Sequence, residues 1–349
     1  MRTRDEADRL RLTLASLGRQ NPLPYEIVVV NDGSVDHTDD VLRSVSGVTP
    51  FTIVRNESAR GRSAAANAGA AVARGDLLLF MDGDTLAGRS LVGLHANLHR
   101  RGDARLARGE TFHLRCTRFY SDPERGVPFE WAAAHVAGMS ADDRQRSLVT
   151  RRMVMDAFGE IVRRSMPGIY PGIGPARLAE LERDALVRHP DCATLWAACS
   201  GHNVSVPRAL FVETGGFDER LDMNEHRELA FRLDAMGVRL ELVEGARSYH
   251  LTHRRGWRDP LADQDWYRIF CAAHRVASVR LLPLFWLSLM AGEAVPDAFR
   301  IPSLPALAEA AAPDSAFDER AALMWLASGS PAGRRGDAIA HDAPDVKPA

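Results

Sequence analysis

Two aspartates separated by one glycine, Asp82-Gly83-Asp84, follow directly on the apolar run Leu77-Leu78-Leu79-Phe80-Met81. Carboxylates that emerge together from the end of a buried strand offer oxygen ligands of the kind that hold Mg²⁺ or Mn²⁺. The glycine between them lets a ligand approach the backbone. A cation held there would bridge to a diphosphate and neutralise charge on a leaving group. Taken alone the tripeptide is more often a solvated turn, so its meaning rests on what surrounds it. Asp32, at the end of Ile27-Val28-Val29-Val30-Asn31, stands at a comparable place before Gly33-Ser34. There it is also a plausible helix-capping turn residue.

The elements that must position these groups can be read from periodicity. Apolar positions Leu10, Leu12, Leu14 and Leu17 predict a helix over Asp8 to Leu17 that ends near Gly18. Tyr25 to Val30 is short and β-branched, as suits a strand buried on both faces. A helix capped by Ser34 or Asp36 and ending near Val45, a strand from Phe51 to Val54, an alanine-rich helix from Arg60 to Arg74 and a strand from Asp76 to Met81 follow. Strands alternating with helices in this way give a parallel, doubly wound sheet. Ligands of such sheets bind outside the carboxyl ends of the strands, where Asp32 and Asp82-Gly83-Asp84 both fall.

Beyond His113 the pattern becomes helical and charged up to Trp196, which we read as an insertion or lid. Sheet-like sequence returns at Gly201 to Val206 and Arg239 to Tyr249, and helices dominate from Pro260 to about Ser328. The boundaries expected are 1–115 for the first half of the α/β domain, 116–195 for the insertion and 196–260 for the second half. A helical segment over 261–330 and a disordered tail over 331–349 complete the chain.

The 349 residues include 46 acidic and 44 basic side chains, a net charge of −2, so no electrostatic footprint points to nucleic acid. Cys116, Cys192, Cys199 and Cys271 lack zinc-type spacing and read as reduced thiols of a cytoplasmic protein. The start, Met1-Arg2-Thr3-Arg4-Asp5-Glu6, has no signal-peptide pattern. The longest apolar run, Leu281 to Gly292, is about 12 residues against the roughly 20 that span a bilayer. It fits a buried core helix, with peripheral contact to a membrane surface as the alternative.

In combination, Ile27 to Ser34, Asn67-Ala68-Gly69 with Gly75-Asp76, Phe80 to Asp84, Gly215-Gly216-Phe217-Asp218-Glu219 and Glu225 to Leu233 resemble, in order and spacing, the family 2 glycosyltransferases of GT-A fold. The resemblance covers about residues 3 to 115 and 196 to 255 and is more specific than any single motif. It implies an α/β, GT-A-like sheet, mostly parallel, with a helical insertion and a helical C-terminal segment. It also implies an inverting transfer of sugar from a nucleotide-diphosphate donor to an acceptor hydroxyl, the acceptor being a glycan, lipid, peptide or small metabolite. By the same resemblance Asp32, Gly33, Arg62, Asp82, Gly83 and Asp84 would bind the donor. Asp84, Asp82 and His250 would hold Mn²⁺ or Mg²⁺, with His253 as a weaker candidate, and Gly215-Gly216 would lie on the acceptor side.

Three departures from that pattern matter. Relatives begin with a strand and a turn of which only Arg2-Thr3-Arg4-Asp5 is present, so a central strand is missing ahead of Met1, or the sheet is completed differently. Ala66 replaces an arginine, leaving Arg60 or Arg62 for phosphate. Glu225-His226 stands where many relatives have Glu-Asp, which makes His226 the expected general base, its unperturbed pKa of about 6.5 suiting neutrality. His226 is equally able to cap or pack on its helix, with Glu225 and Asp222 in reserve. A non-catalytic nucleotide-sugar-binding protein and a nucleotidyltransferase are the rival readings, the latter weakened because no glycine- and basic-rich phosphate loop is found near the first strand.

Overall fold

A computed structural model describes residues 1–21, 24–44, 50–102, 104–253, 260–261, 263–290 and 295–328. The expected tail over 331–349 lies outside them. The first half runs β1 (Arg2–Thr3), α1 (Ala7–Leu17), β2 (Ile27–Asp32), α2 (Thr38–Ser44), β3 (Phe51–Asn56), α3 (Arg62–Val72), β4 (Leu77–Phe80), β5 (Thr85–Ala87), α4 (Leu91–His99) and β6 (Arg105–Leu114). β1, β2 and β3 pair in parallel, and Arg2 bridges in parallel to Asp82 just past β4.

The expected strand at Tyr25 begins instead at Ile27. The Tyr25 hydroxyl donates to the Leu17 carbonyl at 2.8 Å, and the Glu26 carboxylate accepts from the Gly75 amide at 2.9 Å, so both side chains hold turns rather than a ladder. β6 has no counterpart in the sequence reading, because Arg105, Arg108 and Glu110 break its apolar pattern. Those charges have partners: Arg105 pairs with Glu241, Arg108 with Glu182 at 2.6 Å, and Glu110 with Arg247 at 3.1 Å.

The insertion is mostly helical: a small hairpin, β7 (Tyr120–Asp122) with β8 (Val127–Pro128), is followed by α5 (Ala133–Gly138), α6 (Ala141–Ser147), α7 (Arg151–Asp156), α8 (Phe158–Arg164), β9 (Met166–Pro167) and α9 (Ile173–Arg188). The sheet then resumes with β10 (Val204–Pro207), α10 (Arg208–Glu213), α11 (Glu225–Ala235) and β11 (Arg239–Leu251), and the chain continues as α12 (Asp265–Ala273), α13 (Ala277–Arg280), α14 (Leu282–Met290), α15 (Leu304–Ala310) and α16 (Glu319–Ala327). The second half of the sheet has the order β4-β10-β6-β11-β5, with β6 and β11 parallel and β10 antiparallel to both β4 and β6.

The largest apolar cluster joins the sheet to the C-terminal helices through Trp196, Phe270, Phe285 and Trp286. Leu282 to Leu289 are buried, so the apolar run is a core helix. Among the described residues no helix is long and apolar enough to cross a membrane.

One polar side chain pins the second half together. Asn203 is buried with φ +58°, and its amide donates to the carbonyls of Glu110 and Ala246 at 3.1 and 2.8 Å and to Ser248 at 3.1 Å. Its oxygen lies 2.8 Å from His95 Nε2. Gly109 makes this possible, since a Cβ there would sit 2.2 Å from the Ala246 carbonyl oxygen and 2.4 Å from the Asn203 amide. Asn203→Ala strands buried groups of three elements and puts a Cβ-bearing residue without a polar side chain at positive φ. It should therefore cost about 2–4 kcal/mol. Urea unfolding should show a lowered midpoint at unchanged slope; a loss below about 1 kcal/mol would show that Asn203 is no linchpin.

Candidate functional site

The ends of β4 and β11 and the start of α11 converge on a cleft of about 370 Å³. β4 delivers Asp82 and Asp84, β11 delivers His250 with His253 just beyond, and α11 opens with Glu225 and His226. Asp32 and Arg62 also line the cleft, as do Tyr170, Leu178 and Trp286 from the insertion and the C-terminal helices.

Asp84 is fixed through its backbone, whose carbonyl accepts from Leu251 N at 2.8 Å. Its Oδ2 lies 3.1 Å from His250 Nε2 and 2.9 Å from His253 Nε2, and one ligand atom from each residue falls within 4.8 Å of the others. Burial alone would raise the Asp84 pKa, but the two imidazoles hold the carboxyl well below the usual range. The His250 ring is oriented from behind: Nδ1 lies 2.8 Å from the carbonyl oxygen of Ile169, which only accepts, so Nδ1 carries the proton. In the neutral ring the Nε2 lone pair then faces a carboxylate oxygen, an arrangement that calls for a proton or a cation between them. The edge of Tyr170 packs on the same ring at 4.9 Å between centroids.

Asp82 is not part of that group. Its Oδ1 accepts from Arg2 Nε at 2.9 Å, and Oδ2 is 3.5 Å from Arg62 and 3.8 Å from His202. Burial opposes its charge, and Arg2 and Arg62 keep its pKa below the ordinary value. Arg2 continues to Glu225 Oε1 at 3.0 Å, so one guanidinium joins the two carboxylates. At Gly83 a Cβ would lie 2.7 Å from Thr3 Oγ1, so the packing there calls for glycine.

Glu225 is buried, and its Oε2 has no hydrogen-bond partner. Burial would raise its pKa, but Arg2 and His226 bring it well below the ordinary carboxylate value. His226 Nδ1 is 3.6 Å from that oxygen, beyond hydrogen-bond reach, and Nε2 is 2.9 Å from Arg227 NH1. Arg227 is anchored by Glu182 at 2.7 Å and by the Ala197 carbonyl, also at 2.7 Å. His202 is buried against Asp82, and burial lowers its pKa to about 4, leaving it neutral at pH 7.

Asp32 accepts from the amides of Arg60 and Gly61 at 2.9 and 3.0 Å and from Asn56 at 2.7 Å, which shapes the approach to α3. Gly33 has φ +70°, and a Cβ would come within 2.6 Å of Ala59 N, so the turn requires glycine. Gly215 and Gly216 do not line the cleft. Both have positive φ, and Gly216 packs on Asn67, whose amide and carbonyl pair with the Phe217 backbone at 2.9 Å each. Arg60 turns to Glu219 at 3.7 Å, away from the cleft. The sequence reading did not anticipate Arg2, His202 or Tyr170: each lies in a turn or an isolated position, and no periodicity marks it.

Residues 1–119 match the sequence profile of the family described as Glycosyl transferase family 2. The validoxylamine A glucosyltransferase of Streptomyces hygroscopicus subsp. limoneus is 31% identical over 255 residues, covering 70% of this chain and 49% of that protein. An uncharacterized glycosyltransferase, YfnE, of Bacillus subtilis (strain 168) is 27% identical over 249 residues, covering 70% and 62%. The chain thus spans about half to three-fifths of the length of these curated relatives. Among solved structures, the mannosyltransferase PcManGT from Pyrobaculum calidifontis in complex with GDP-Man and Mn²⁺ superposes with a TM-score of 0.52 at 17% identity, over 88% of this chain and 76% of that one. S. aureus TarS 1-349 in complex with UDP-GlcNAc gives 0.51 at 14% identity, over 83% and 71%. These structures share the fold. Residues 1–119 thus carry the pattern of the family 2 glycosyltransferases, and the chain has a GT-A fold.

Proposed function

We propose that the chain transfers a sugar from a nucleoside diphosphate donor to an acceptor hydroxyl, with the diphosphate at the Asp84, His250 and His253 cluster and Glu225 receiving the acceptor proton. The observation that carries this is the meeting, in one cleft, of a buried metal-type donor set with a buried carboxylate whose second oxygen has no hydrogen-bond partner. The glucosyltransferase relatives and the likeness to a structure holding GDP-Man and Mn²⁺ support it.

A divalent cation bound by Asp84, His250 and His253 would neutralise charge on the departing diphosphate. Two imidazole nitrogens and one carboxylate form a softer donor set than the all-oxygen shell Mg²⁺ prefers, which favours Mn²⁺. Asp82, paired with Arg2 and Arg62, is assigned to holding that cationic wall. Arg62, on the donor side, then faces phosphate oxygens. Asp32 Oδ1 already accepts from Asn56 and from the Arg60 amide, whereas Oδ2, which accepts from the Gly61 amide, keeps a lone pair for a nucleobase N–H or a ribose hydroxyl.

The choice of base follows from hydrogen bonding. Arginine has no acceptor, so Arg227 donates to His226 Nε2, Nδ1 carries the ring proton, and neither nitrogen has a lone pair left for a hydroxyl proton. Glu225 gives Oε1 to Arg2 and keeps Oε2 for the acceptor. His226, expected from the sequence to be the base, flanks that carboxylate instead, its Nδ1 at 3.6 Å, and Asp222 accepts from Arg62 N at 3.2 Å. Tyr170, Leu178 and Trp286 shape the acceptor side.

Asp84→Asn should abolish Mn²⁺-dependent donor binding. Calorimetric titration with a panel of nucleotide-sugars, with and without chelator, checks this, and undiminished affinity in chelator would remove the metal assignment.

Glu225→Gln should lower kcat by about 10²–10⁴-fold with donor affinity retained, whereas His226→Gln should stay within about tenfold of the parent. The reverse ranking would return the base to His226. Because Glu225 is held below the ordinary carboxylate value, its basic form persists as pH falls from 7 to 5. At saturating Mn²⁺, kcat should not fall through a histidine-like midpoint in that window; such a fall, lost in His226→Gln, contradicts the assignment.

A further inference from the structure

Ser200, His202 and Asn224 line the cleft and are buried, and Ser200 Oγ, His202 Nε2 and Asn224 Nδ2 have no hydrogen-bond partner. A buried polar atom left alone destabilises a fold, so three in one cleft point to partners that arrive with a ligand. Their placement says which part of the ligand. In a transfer from a diphosphate to a hydroxyl, the sugar ring spans the interval between the leaving oxygen and the attacking one. His202 stands in that interval. Its ring centroid is 6.5 Å from that of His250 in the metal-type cluster, its Nδ1 is 3.8 Å from Asp82 Oδ2, and Arg2 links Asp82 to Glu225. The adjoining Gly201 lies against His226, where a Cβ would meet Nδ1 at 3.2 Å, so Ser200-Gly201-His202 reaches from the His250 side to the start of α11. Asn224 comes immediately ahead of Glu225. It is held at φ +63°, and its Oδ1 accepts from Arg227 at 2.8 Å, which leaves Nδ2 to donate.

We infer that Ser200, His202 and Asn224 bind hydroxyls of the transferred sugar, and that this sugar is a neutral hexose with no acyl or carboxylate substituent where they hold it. The inference rests on the glycosyl-transfer reading of the cleft. A hydroxyl both donates and accepts, so it satisfies His202 Nε2 in either neutral tautomer, and Ser200 Oγ likewise, while its oxygen takes the Asn224 N–H. An acetamide would bring a methyl group against these polar atoms and leave them unpaired. A carboxylate would need a cation. Arg2, which reaches the Gly201 carbonyl, already gives its nitrogens to Asp82, Glu225 and the carbonyls of Arg62 and Gly201, and Arg62 is assigned to phosphate. His202, kept neutral at pH 7 by burial, supplies none either.

The test titrates the full chain, in Mn²⁺, with UDP-glucose, GDP-mannose, UDP-N-acetylglucosamine and UDP-glucuronate, each read against its own nucleoside diphosphate. A neutral hexose donor should bind tighter than the acetylated and the acidic ones. His202→Phe keeps a flat ring and removes both nitrogens. Affinity for the hexose donor should then fall about tenfold or more, while affinity for its nucleoside diphosphate stays within about twofold. His202→Gln retains a donor and an acceptor and should hold donor affinity within about threefold of the parent. Since His202→Phe removes an unpaired buried nitrogen, it should melt no lower than the parent. Should it fail to fold, Ser200→Ala gives the same comparison, with a loss of about fivefold confined to the sugar donor. Equal weakening of donor and nucleoside diphosphate, no change in either, or a preference for the acetylated or acidic donor overturns the inference and leaves the nucleotide reading standing. If UDP, GDP and all four donors fail to bind the parent chain, the reading of the cleft falls, and the inference with it.

Discussion

Three carboxylates meet in one cleft, Asp84 and Glu225 buried and Asp82 partly so, and the rest of the architecture has to make that arrangement possible. Ionised carboxylates leave water only when each finds fixed donors or cations. The protein separates them by partner. Asp84 goes to two imidazoles, Asp82 to two guanidiniums, and Glu225 shares Arg2 while one of its oxygens has no hydrogen-bond partner. Each partner arrives from a different element: Arg2 from the first strand, Arg62 from the start of α3, and the histidines from the end of β11. The crossing of the chain over the sheet is thus what gathers countercharge around the cleft.

The same logic reaches outward. Arg227, which engages His226, depends on Glu182 of the insertion, and Glu182 also holds Arg108 of β6. A buried chain of alternating charges therefore runs from a central strand through the insertion to α11. Removing Glu182 would leave two guanidiniums buried together, a larger disturbance than the loss of either pair alone.

Much of this was legible in the sequence. The alternation of short β-branched runs with helices, and the carboxylates at their ends, pointed to the doubly wound sheet and to Asp32, Asp82 and Asp84 at its carboxyl edge. The apolar run at Leu282 to Leu289 was legible as core because it is too short for a bilayer. β6 was not, since its charged residues are satisfied by partners far away in the chain, and periodicity carries no record of them. Neither were Arg2 and His202: a lone arginine near the start and a lone histidine in a turn acquire meaning only when folding sets Asp82 beside them. The preference for Glu225 over His226 rests on one contact, with Arg227, that adjacent letters in the sequence do not reveal.

The hydrogen bond between His250 and Ile169 uses a main-chain oxygen. A side chain at that position can be exchanged without removing the acceptor, provided the loop keeps its path. The insertion is therefore free to change its surface chemistry while the imidazole behind it keeps its tautomer and aim. Two demands on the same loop are uncoupled: what it presents to the cleft is written in side chains, and what it contributes to the metal-type cluster is written in backbone. Substitutions in this loop can accordingly change the lining of the cleft, whereas insertions or deletions that move its carbonyl would be felt at Asp84.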